Sequence, residues 1–455
     1  MIVLKFGGSS VADAEGIRRA SAIVAAARHR RPVVVVSALG GVTDLLLAAT
    51  AAAGRDDLAG QEAAMAGIER RHRWASSACL DDAASRQDVE MVLADTFDEM
   101  KLLLRSIRTL GELSPRAADA VLACGELLSS RLLTAALKGA GVDATWVDPR
   151  KVVITDGSHG SATPDLARMA GSVKTEVLSL VEKGQVPVIG GFVGSSPGGV
   201  TTTLGRGGGD TTAAVIGAAG GAEELQIWTD VDGLMTADPR LAADATCLGR
   251  VSFAEASEMA SFGAKVLHPA SVSPAVSASI PVRVLNSRNP EFEGTVVLPH
   301  SDPSRLGVVS LASRTGLTAV FLEADRGMEG ALFRRRAMDL QEPPGPLPEL
   351  IQVSAVGAVA VFRDSDAAAV HAGRWDRLGK VRTVDGVGMV AAVGEALRND
   401  AALTGEVCRE LGALHPMVLG AGGAALSVYA LFPQAGLETV VSRLHRRFFQ
   451  EVTRT

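Results

Sequence analysis

Four short runs of β-branched and apolar residues, each ending at a polar or glycine-rich turn, constrain the fold of this chain most strongly. The runs cover residues 2–6, 32–37, 186–189 and 225–229. Continuous apolar runs of this length are typical of strands that are buried on both faces. Because helical patterns separate the runs, we predict an α/β fold whose mostly parallel sheet is sandwiched by helices. Such sheets bind ligands at the carboxyl ends of their strands, where all four turns lie.

The length of the chain indicates more than one domain. With 455 residues, 47% of them hydrophobic, the chain exceeds what a single core usually contains, so two or three domains are expected. Residues 45–140 are predicted to be mainly helical, and residues 290–305, with three prolines, to be a linker. Short strands at 317–322, 358–362 and 387–393 then frame helical segments, which predicts a separate α+β module or a pair of them.

Composition and charge exclude several classes of protein. The formal net charge is −6 and the basic residues form no stripe, so no nucleic-acid partner is expected. The four cysteines lie far apart without a CxxC pair, which is typical of reduced thiols in a cytoplasmic protein. The first residues enter a strand without a long apolar signal core, and no apolar segment reaches about 18 residues, so neither export nor a membrane span is expected.

The first motif that carries chemistry is the turn after the first run, Lys5-Phe6-Gly7-Gly8-Ser9. Glycines let backbone N–H groups approach a phosphate closely, and lysine supplies a compact positive charge. The spacing is neither that of a Walker A loop nor that of GxGxxG. Taken alone, a Gly-Gly turn is more often structural than catalytic.

The second motif, residues 201–214, places four glycines within five positions around Arg206, ahead of a strong helix pattern. Asp210 or Thr211 is predicted to be the N-cap of that helix, whose start would attract an anion. Arg206 suits a carboxylate held in a bidentate fork. The structural alternative is a flexible surface loop with a capping aspartate, but the density of polar residues favours a binding site.

Further motifs are weaker when taken singly. The turn-rich segment 229–240 follows a buried strand and fits the edge of a nucleotide pocket, although an ordinary acidic turn is the alternative. Lys265 follows a glycine after a helix, where a cation would meet phosphate, and His268 is interpreted as structural. Taken singly, Thr43 is more often a helix cap and Glu126 a solvated or paired acid than a functional group.

In combination, the motifs KFGGSSVAD, TTTLGRGGGD and FGAKVLHP resemble those of the aspartokinases of the amino acid kinase family, over nearly all of the first 300 residues. The resemblance implies the reaction of ATP with L-aspartate to give 4-phospho-L-aspartate and ADP. That reaction is the first step of lysine, threonine and methionine biosynthesis. It also implies Mg²⁺ on the ATP phosphates, held largely by phosphate and water, so no protein metal ligand is named.

The resemblance also implies roles for individual residues. Lys5 and Asp210 would be catalytic, with Lys5 contacting the transferring phosphoryl group and Asp210 orienting the lysines. Aspartate would be bound by Thr43, by Glu126 facing its ammonium, and by Arg206 facing a carboxylate. The residues implied in nucleotide binding are Lys5, Gly7, Gly8, Ser9, Thr229, Asp230, Met235, Arg240, Lys265 and Val266.

Two positions depart from the pattern of the family. Gly209 stands where relatives commonly carry serine, which removes one hydrogen bond to the substrate. Met235 stands where many relatives carry an aromatic residue near the adenine, which affects nucleotide affinity.

The last third resembles the paired ACT modules of aspartokinases, which are ferredoxin-like. The predicted division is a catalytic domain at 1–298, a linker with the first regulatory strand at 299–312, a degenerate ACT-like module at 313–383 and an ACT module at 384–455. Because the loop-and-helix segment of the first module is short and followed by a proline run, we expect weak or absent inhibition by lysine or threonine. A homodimer or higher homo-oligomer through the ACT region is also implied.

Two alternatives to an aspartate kinase are a sister kinase and a catalytically weak regulatory subunit. A sister kinase would act on glutamate, acetylglutamate, carbamate or UMP. Arg206 together with Glu126 favours a free α-amino acid over carbamate or UMP. The presence of Lys5, Arg206 and Asp210 argues against a regulatory subunit.

Overall fold

A computed structural model describes residues 1–264, 269–300, 307–339, 347–421 and 426–450. Contacts divide the chain into two compact units. The first unit consists of residues 1–234, 249–253 and 268–300, and the second of residues 235–248, 254–267 and 301–455.

The first unit is built on an eight-stranded sheet and a separate two-stranded hairpin. Its strands are β1 (Ile2–Phe6), β2 (Pro32–Val36), β3 (Ala144–Val147), β4 (Val186–Gly190), β5 (Val193–Ser195), β6 (Thr201–Thr203), β7 (Glu224–Thr229), β8 (Arg250–Ser252), β9 (Val282–Asn286) and β10 (Thr295–Leu298). The order in the large sheet is β3-β4-β2-β1-β7-β9-β10-β8, and β5 pairs with β6 in the hairpin. Every pair from β3 to β9 is parallel, whereas β10 runs antiparallel to β9.

Helices cover both faces of the large sheet. They are α1 (Ala14–Ala26), α2 (Val42–Gly54), α3 (Leu58–Cys79), α4 (Ala83–Leu110), α5 (Pro115–Gly139), α6 (Pro149–Val152), α7 (Leu166–Val173), α8 (Ser179–Glu182), α9 (Gly208–Gly220) and, after α10 (Phe253–Ser261), which belongs mostly to the second unit, α11 (Pro269–Ser277). Ile2, Leu4 and Phe6 alternate along β1 and pack in one core with the helices from α1 to α5. Val3 points to the other face, towards α9. The predicted sandwich of a mostly parallel sheet between helices is therefore confirmed.

The sequence placed most elements of the first unit correctly and one wrongly. The predicted helical block 45–140 consists of α2 to α5. The linker predicted from residue 290 is wrong at 295–298, because β10 pairs there with both β9 and β8. These residues have the burial pattern of a strand, because Thr295 and Val297 are buried while Val296 and Leu298 are partly exposed. One helix of the described residues, α5, is long and apolar enough to cross a membrane, but 72% of its apolar window is buried inside the protein, as in a core helix.

The second unit is a six-stranded antiparallel sheet with helices. Its strands are β11 (Ser310–Ala324), β12 (Leu350–Val353), β13 (Gly357–Phe362), β14 (Gly379–Val393), β15 (Val418–Ala421) and β16 (Ser427–Pro433), and its remaining helices are α12 (Gly330–Met338), α13 (Ser365–Trp375), α14 (Ala396–Asn399), α15 (Ala401–Gly412) and α16 (Leu437–His445). The order is β12-β13-β11-β14-β16-β15. The two central strands are fifteen residues long, and two separate apolar cores lie along them. This is the strand order of two ferredoxin-like modules that share β11 and β14, so the predicted α+β region is confirmed.

Candidate active site

An ion pair between Lys5 and Asp210 marks the carboxyl end of the central strand of the first unit. Lys5 follows Val3 on the face of β1 that is covered by α9, and Asp210 lies in the first turn of α9. Lys5 Nζ is 2.7 Å from Asp210 Oδ1, and the two side chains are 12% and 14% exposed. The contact is an ion pair rather than an aligned hydrogen bond. The ammonium therefore keeps donors that can be directed towards a bound anion.

The helix that carries Asp210 begins earlier than the sequence predicted. Its N-cap is Gly207 and its first residue is Gly208, so the predicted N-cap at Asp210 or Thr211 is wrong. Gly205 and Gly207 both have left-handed φ angles, 70° and 74°, which let the chain turn into the helix before Asp210. Gly208 N donates to the carbonyl oxygen of Gly205 at 3.1 Å. No side chain caps the helix start, so the positive end of its dipole can attract an anion.

Glycines keep the space around Lys5 open. A Cβ atom at Gly7 would lie 3.6 Å from Lys5 Nζ, and one at Gly209 would lie 3.2 Å from Lys5 Cε and 3.1 Å from Ser37 Oγ. A Cβ atom at Gly8 would lie 3.2 Å from the carbonyl oxygen of Ala38. The ends of β1 and β2 and the start of α9 thus form one cradle that any larger side chain would narrow.

The turn after β1 is fixed to the neighbouring strand. Gly7 N donates to the carbonyl oxygen of Trp228 at 3.1 Å, and Ser10 Oγ donates to the same oxygen at 3.0 Å. Ser9 is half-buried in this turn. Ser37 was not predicted as a site residue, although its position directly after β2 places it at the carboxyl end of a strand.

Glu126 is a buried carboxyl group beside the cradle. Its side chain lies on α5 and the residue is 6% exposed. Burial raises the pKa of Glu126 to about 8, although the backbone N–H of Ala38 and the charge of Lys5 act in the opposite direction. A Cβ atom at Gly190 would lie 3.0 Å from the Glu126 carbonyl oxygen, which places this part of α5 at the end of β4. A cation that binds here would stabilise the ionised form of Glu126.

Two predicted substrate residues are exposed at the same edge of the sheet. Thr43 lies in the first turn of α2, after the N-cap Gly41, and Arg206 lies between Gly205 and Gly207. Both belong to segments that follow strands, β2 and β6 respectively. The structure therefore presents a hydroxyl and a guanidinium group to solvent near the cradle.

Polar groups also gather at the ends of β7 and β9. Thr229 Oγ1 donates to Asp230 Oδ1 at 3.2 Å. Ser287 Oγ donates to the carbonyl oxygen of Thr229 at 3.0 Å, and Asn286 Nδ2 donates to Asp232 Oδ1 at 2.8 Å. β7 lies next to β1, so this polar group is adjacent to the Lys5 cradle. Asn286 and Ser287 were not predicted as site residues, although they lie at the carboxyl end of β9.

The remaining predicted nucleotide residues lie elsewhere in the chain. Met235 and Arg240 belong to the second unit. There Met235 is half-buried, and the exposed Arg240 pairs with Asp238 at 2.6 Å. Lys265, Val266 and the structural histidine His268 lie outside the described residues. Among the residues that the structure describes, no group of three or more His, Cys, Asp or Glu side chains is placed to hold a metal ion.

The parallel sheet, the uncapped helix start and the largely buried Lys5–Asp210 pair define an enzyme that handles phosphate groups. Residues 1–286 match the model of the amino acid kinase family, and the chain belongs to that family. Lysine-sensitive aspartokinase 3 of Escherichia coli is 31% identical over 471 aligned residues, which cover 99% of each chain.

Two solved structures of E. coli aspartokinase III are similar over 99% of this chain and 100% of theirs, both at 31% identity. The complex with lysine and aspartate, in the T-state, superposes with a TM-score of 0.85. The complex with aspartate and ADP, in the R-state, superposes with a TM-score of 0.81. The predicted family membership is confirmed.

Proposed function

We propose that this chain is an aspartate kinase, which transfers the γ-phosphoryl group of ATP to the side-chain carboxylate of L-aspartate and so begins lysine, threonine and methionine biosynthesis. The observation that carries the proposal is the largely buried Lys5–Asp210 pair at the start of α9, with the carboxyl group of Glu126 beside it. Full-length similarity to aspartokinases supports the choice of substrate.

Catalysis of this reaction depends on positioning of the substrates and on stabilisation of negative charge more than on proton transfer. An oxygen of the aspartate carboxylate attacks the γ-phosphorus, the bond to the β–γ bridging oxygen breaks, and ADP leaves with that electron pair. A carboxylate with a reference pKa of about 3.9 is already ionised at neutral pH, so no general base is required. Lys5 and the N–H groups at the start of α9 stabilise negative charge on the transferring group. Asp210 holds the ammonium of Lys5 in place.

Substrate recognition uses groups of both signs. Glu126 receives the α-ammonium of aspartate, Arg206 binds a carboxylate in a bidentate fork, and Thr43 donates a hydroxyl hydrogen bond. Gly7, Gly8 and Ser9 shape the phosphate cradle. Thr229 and Asp230, at the end of β7, are proposed to bind the nucleotide, and the roles of Met235, Arg240, Lys265 and Val266 stay predictions from the resemblance.

Mg²⁺ accompanies ATP in this proposal. It binds mainly through phosphate oxygens and water, because it gives up its hydration shell reluctantly. When bound, it neutralises charge that develops on the β- and γ-phosphates. We assign it no protein ligand.

The assembly and the domain boundaries complete the proposal. Residues 1–298 form the kinase domain, followed by the linker and first regulatory strand at 299–312 and the ACT-like modules at 313–383 and 384–455. We place the enzyme in the cytoplasm, as a homodimer or higher homo-oligomer that assembles through the ACT region. Sedimentation of the full chain over a range of concentrations tests the assembly, and a monomer throughout would contradict it.

Trapping the product with hydroxylamine tests the reaction itself. Purified protein with ATP, Mg²⁺ and L-aspartate should yield aspartyl hydroxamate, because hydroxylamine captures an acyl phosphate. Glutamate, acetylglutamate, carbamate and UMP, with ADP release measured in parallel, serve as competing acceptors. Phosphoryl transfer to one of those acceptors and not to aspartate would identify a sister kinase, and no transfer to any acceptor would identify a regulatory subunit.

A further inference from the structure

A second buried carboxylate on α5, that of Asp119, has no part in the proposed chemistry. Asp119 is fully buried and lies seven residues before Glu126, which is two helical turns along the same face of α5. Its carboxylate accepts four hydrogen bonds. His159 Nδ1 donates to Oδ2 at 2.7 Å, Gly160 N donates to both oxygens at 3.1 Å, and Thr203 Oγ1 donates to Oδ1.

The donors come from two segments. One leads directly into the loop that carries Arg206, and the other packs against that loop. Thr203 ends β6, and the glycine loop begins two residues later at Gly205. His159 and Gly160 belong to the loop at 156–163. That loop also packs against the glycine loop, since a Cβ atom at Gly205 would lie 3.2 Å from the carbonyl oxygen of Gly160.

Backbone contacts join the same two segments, and one hydrogen bond, from Gly208 N to the carbonyl oxygen of Gly205 at 3.1 Å, closes the turn that carries Arg206. Ala162 N donates to the carbonyl oxygen of Thr203 at 2.8 Å. Beyond Leu204, Gly205 and Gly207 adopt left-handed conformations, and glycines contribute no side chains that would hold a turn. The placement of this turn therefore depends on the segment that precedes it and on the loop at 156–163 that packs against it, and the Asp119 carboxylate accepts hydrogen bonds from both.

We propose that Asp119 is a positioning residue for Arg206, assisted by His159 and Thr203. The helix α5 then contributes to both ends of the proposed aspartate site. Glu126 is the group that meets the ammonium, and Asp119 fixes the loop whose arginine meets a carboxylate. A fixed loop lets aspartate bind without an ordering cost. This inference rests on the proposed function, because it assigns the glycine loop to aspartate rather than to ATP.

Steady-state kinetics of Asp119→Ala and Thr203→Val test the proposal. We expect the KM for aspartate to rise about tenfold to a hundredfold in Asp119→Ala and about threefold to tenfold in Thr203→Val, by the size of hydrogen bonds to charged groups. The KM for ATP should change by less than about twofold. If Asp119→Ala does not fold, Thr203→Val and His159→Phe carry the test, because each removes one donor and leaves the carboxylate in place.

A matched control is Asp165→Ala. Asp165 is also a carboxylate that accepts backbone N–H groups, from Ala167 and Arg168 at the start of α7, and its loss should leave the KM for aspartate unchanged. A double-mutant cycle gives the decisive readout. In an Arg206→Lys background, Asp119→Ala should raise the KM for aspartate much less than in the wild type. If Asp119 acts only by placing Arg206, its removal has little effect once that arginine is absent.

The outcomes distinguish failure of the positioning role from failure of the proposed function. An unchanged KM for aspartate, an equal rise in both KM values, or additivity with Arg206→Lys would show that Asp119 only stabilises the fold. If those results occur while the wild type forms aspartyl hydroxamate, the positioning role alone is wrong. If the wild type forms none, the proposed function fails and this inference fails with it.

Discussion

The raised pKa of Glu126 predicts that aspartate binding releases a proton. In the free protein, burial raises the pKa of this carboxyl group to about 8, so at pH 7 about nine-tenths of the molecules carry it protonated. The ammonium of aspartate pairs with the ionised form and lowers that pKa, and a pKa that is lower by one corresponds to about 1.4 kcal/mol of interaction free energy. Binding at pH 7 should therefore release about 0.9 proton.

The same pKa fixes the dependence of affinity on pH. If only the ionised form binds, the dissociation constant scales with 1 + 10^(pKa − pH), which is about 100 at pH 6 and about 2 at pH 8. Affinity for aspartate should thus strengthen about fiftyfold from pH 6 to pH 8. Titration calorimetry in two buffers of different ionisation enthalpy measures both the affinity and the number of protons released.

Glu126→Gln isolates the cause of this effect. The amide is neutral at every pH, so the variant should release no proton and should bind aspartate with nearly constant affinity from pH 6 to pH 8. At pH 8.5 the variant should bind aspartate about tenfold to a hundredfold more weakly than the wild type, because it loses a hydrogen bond between charged groups. Glu112→Gln, which changes an exposed glutamate, serves as the control. A wild type that releases no proton at pH 7 and shows a flat affinity would refute the reasoning.

Three further predictions concern catalysis, stability and regulation. Lys5→Ala should lower kcat at least about a thousandfold while circular dichroism shows a retained fold, because it removes charge stabilisation at the phosphoryl group, and near-normal kcat would show that the role is misassigned. His72 is buried with its pKa lowered to about 4, so it contributes stability above pH 6.5 that is lost as the pH falls towards 4. Between pH 7.5 and pH 5, the free energy of unfolding of the wild type should fall by about 2 kcal/mol more than that of His72→Phe, as measured by urea unfolding. An equal fall in the two proteins would contradict this. Neither lysine nor threonine should inhibit strongly below about 1 mM, because the first ACT-like module has only the nine-residue helix α12 before its proline run, and strong inhibition in an activity titration would reject the idea.

The sequence by itself determined the sheet and the main chemical groups. Continuous runs such as 32–37 have no polar face, so they fit only strands covered on both sides, and β1, β2, β4 and β7 lie where the sequence predicted them. Lys5 and the glycines around Arg206 were recognisable because their positions at strand ends are local features. The family followed from the order of those motifs.

The tertiary structure alone decided which groups meet. Lys5 and Asp210 are far apart in the chain, and only the packing of α9 against β1 brings Nζ within 2.7 Å of Oδ1. The start of α9 at Gly208 was missed because left-handed glycines, not a capping side chain, turn the chain there. The high pKa of Glu126 and the three donors around Asp119 depend on burial and on approach between distant segments. Local sequence patterns carry no information on either, because both arise only when the chain is folded.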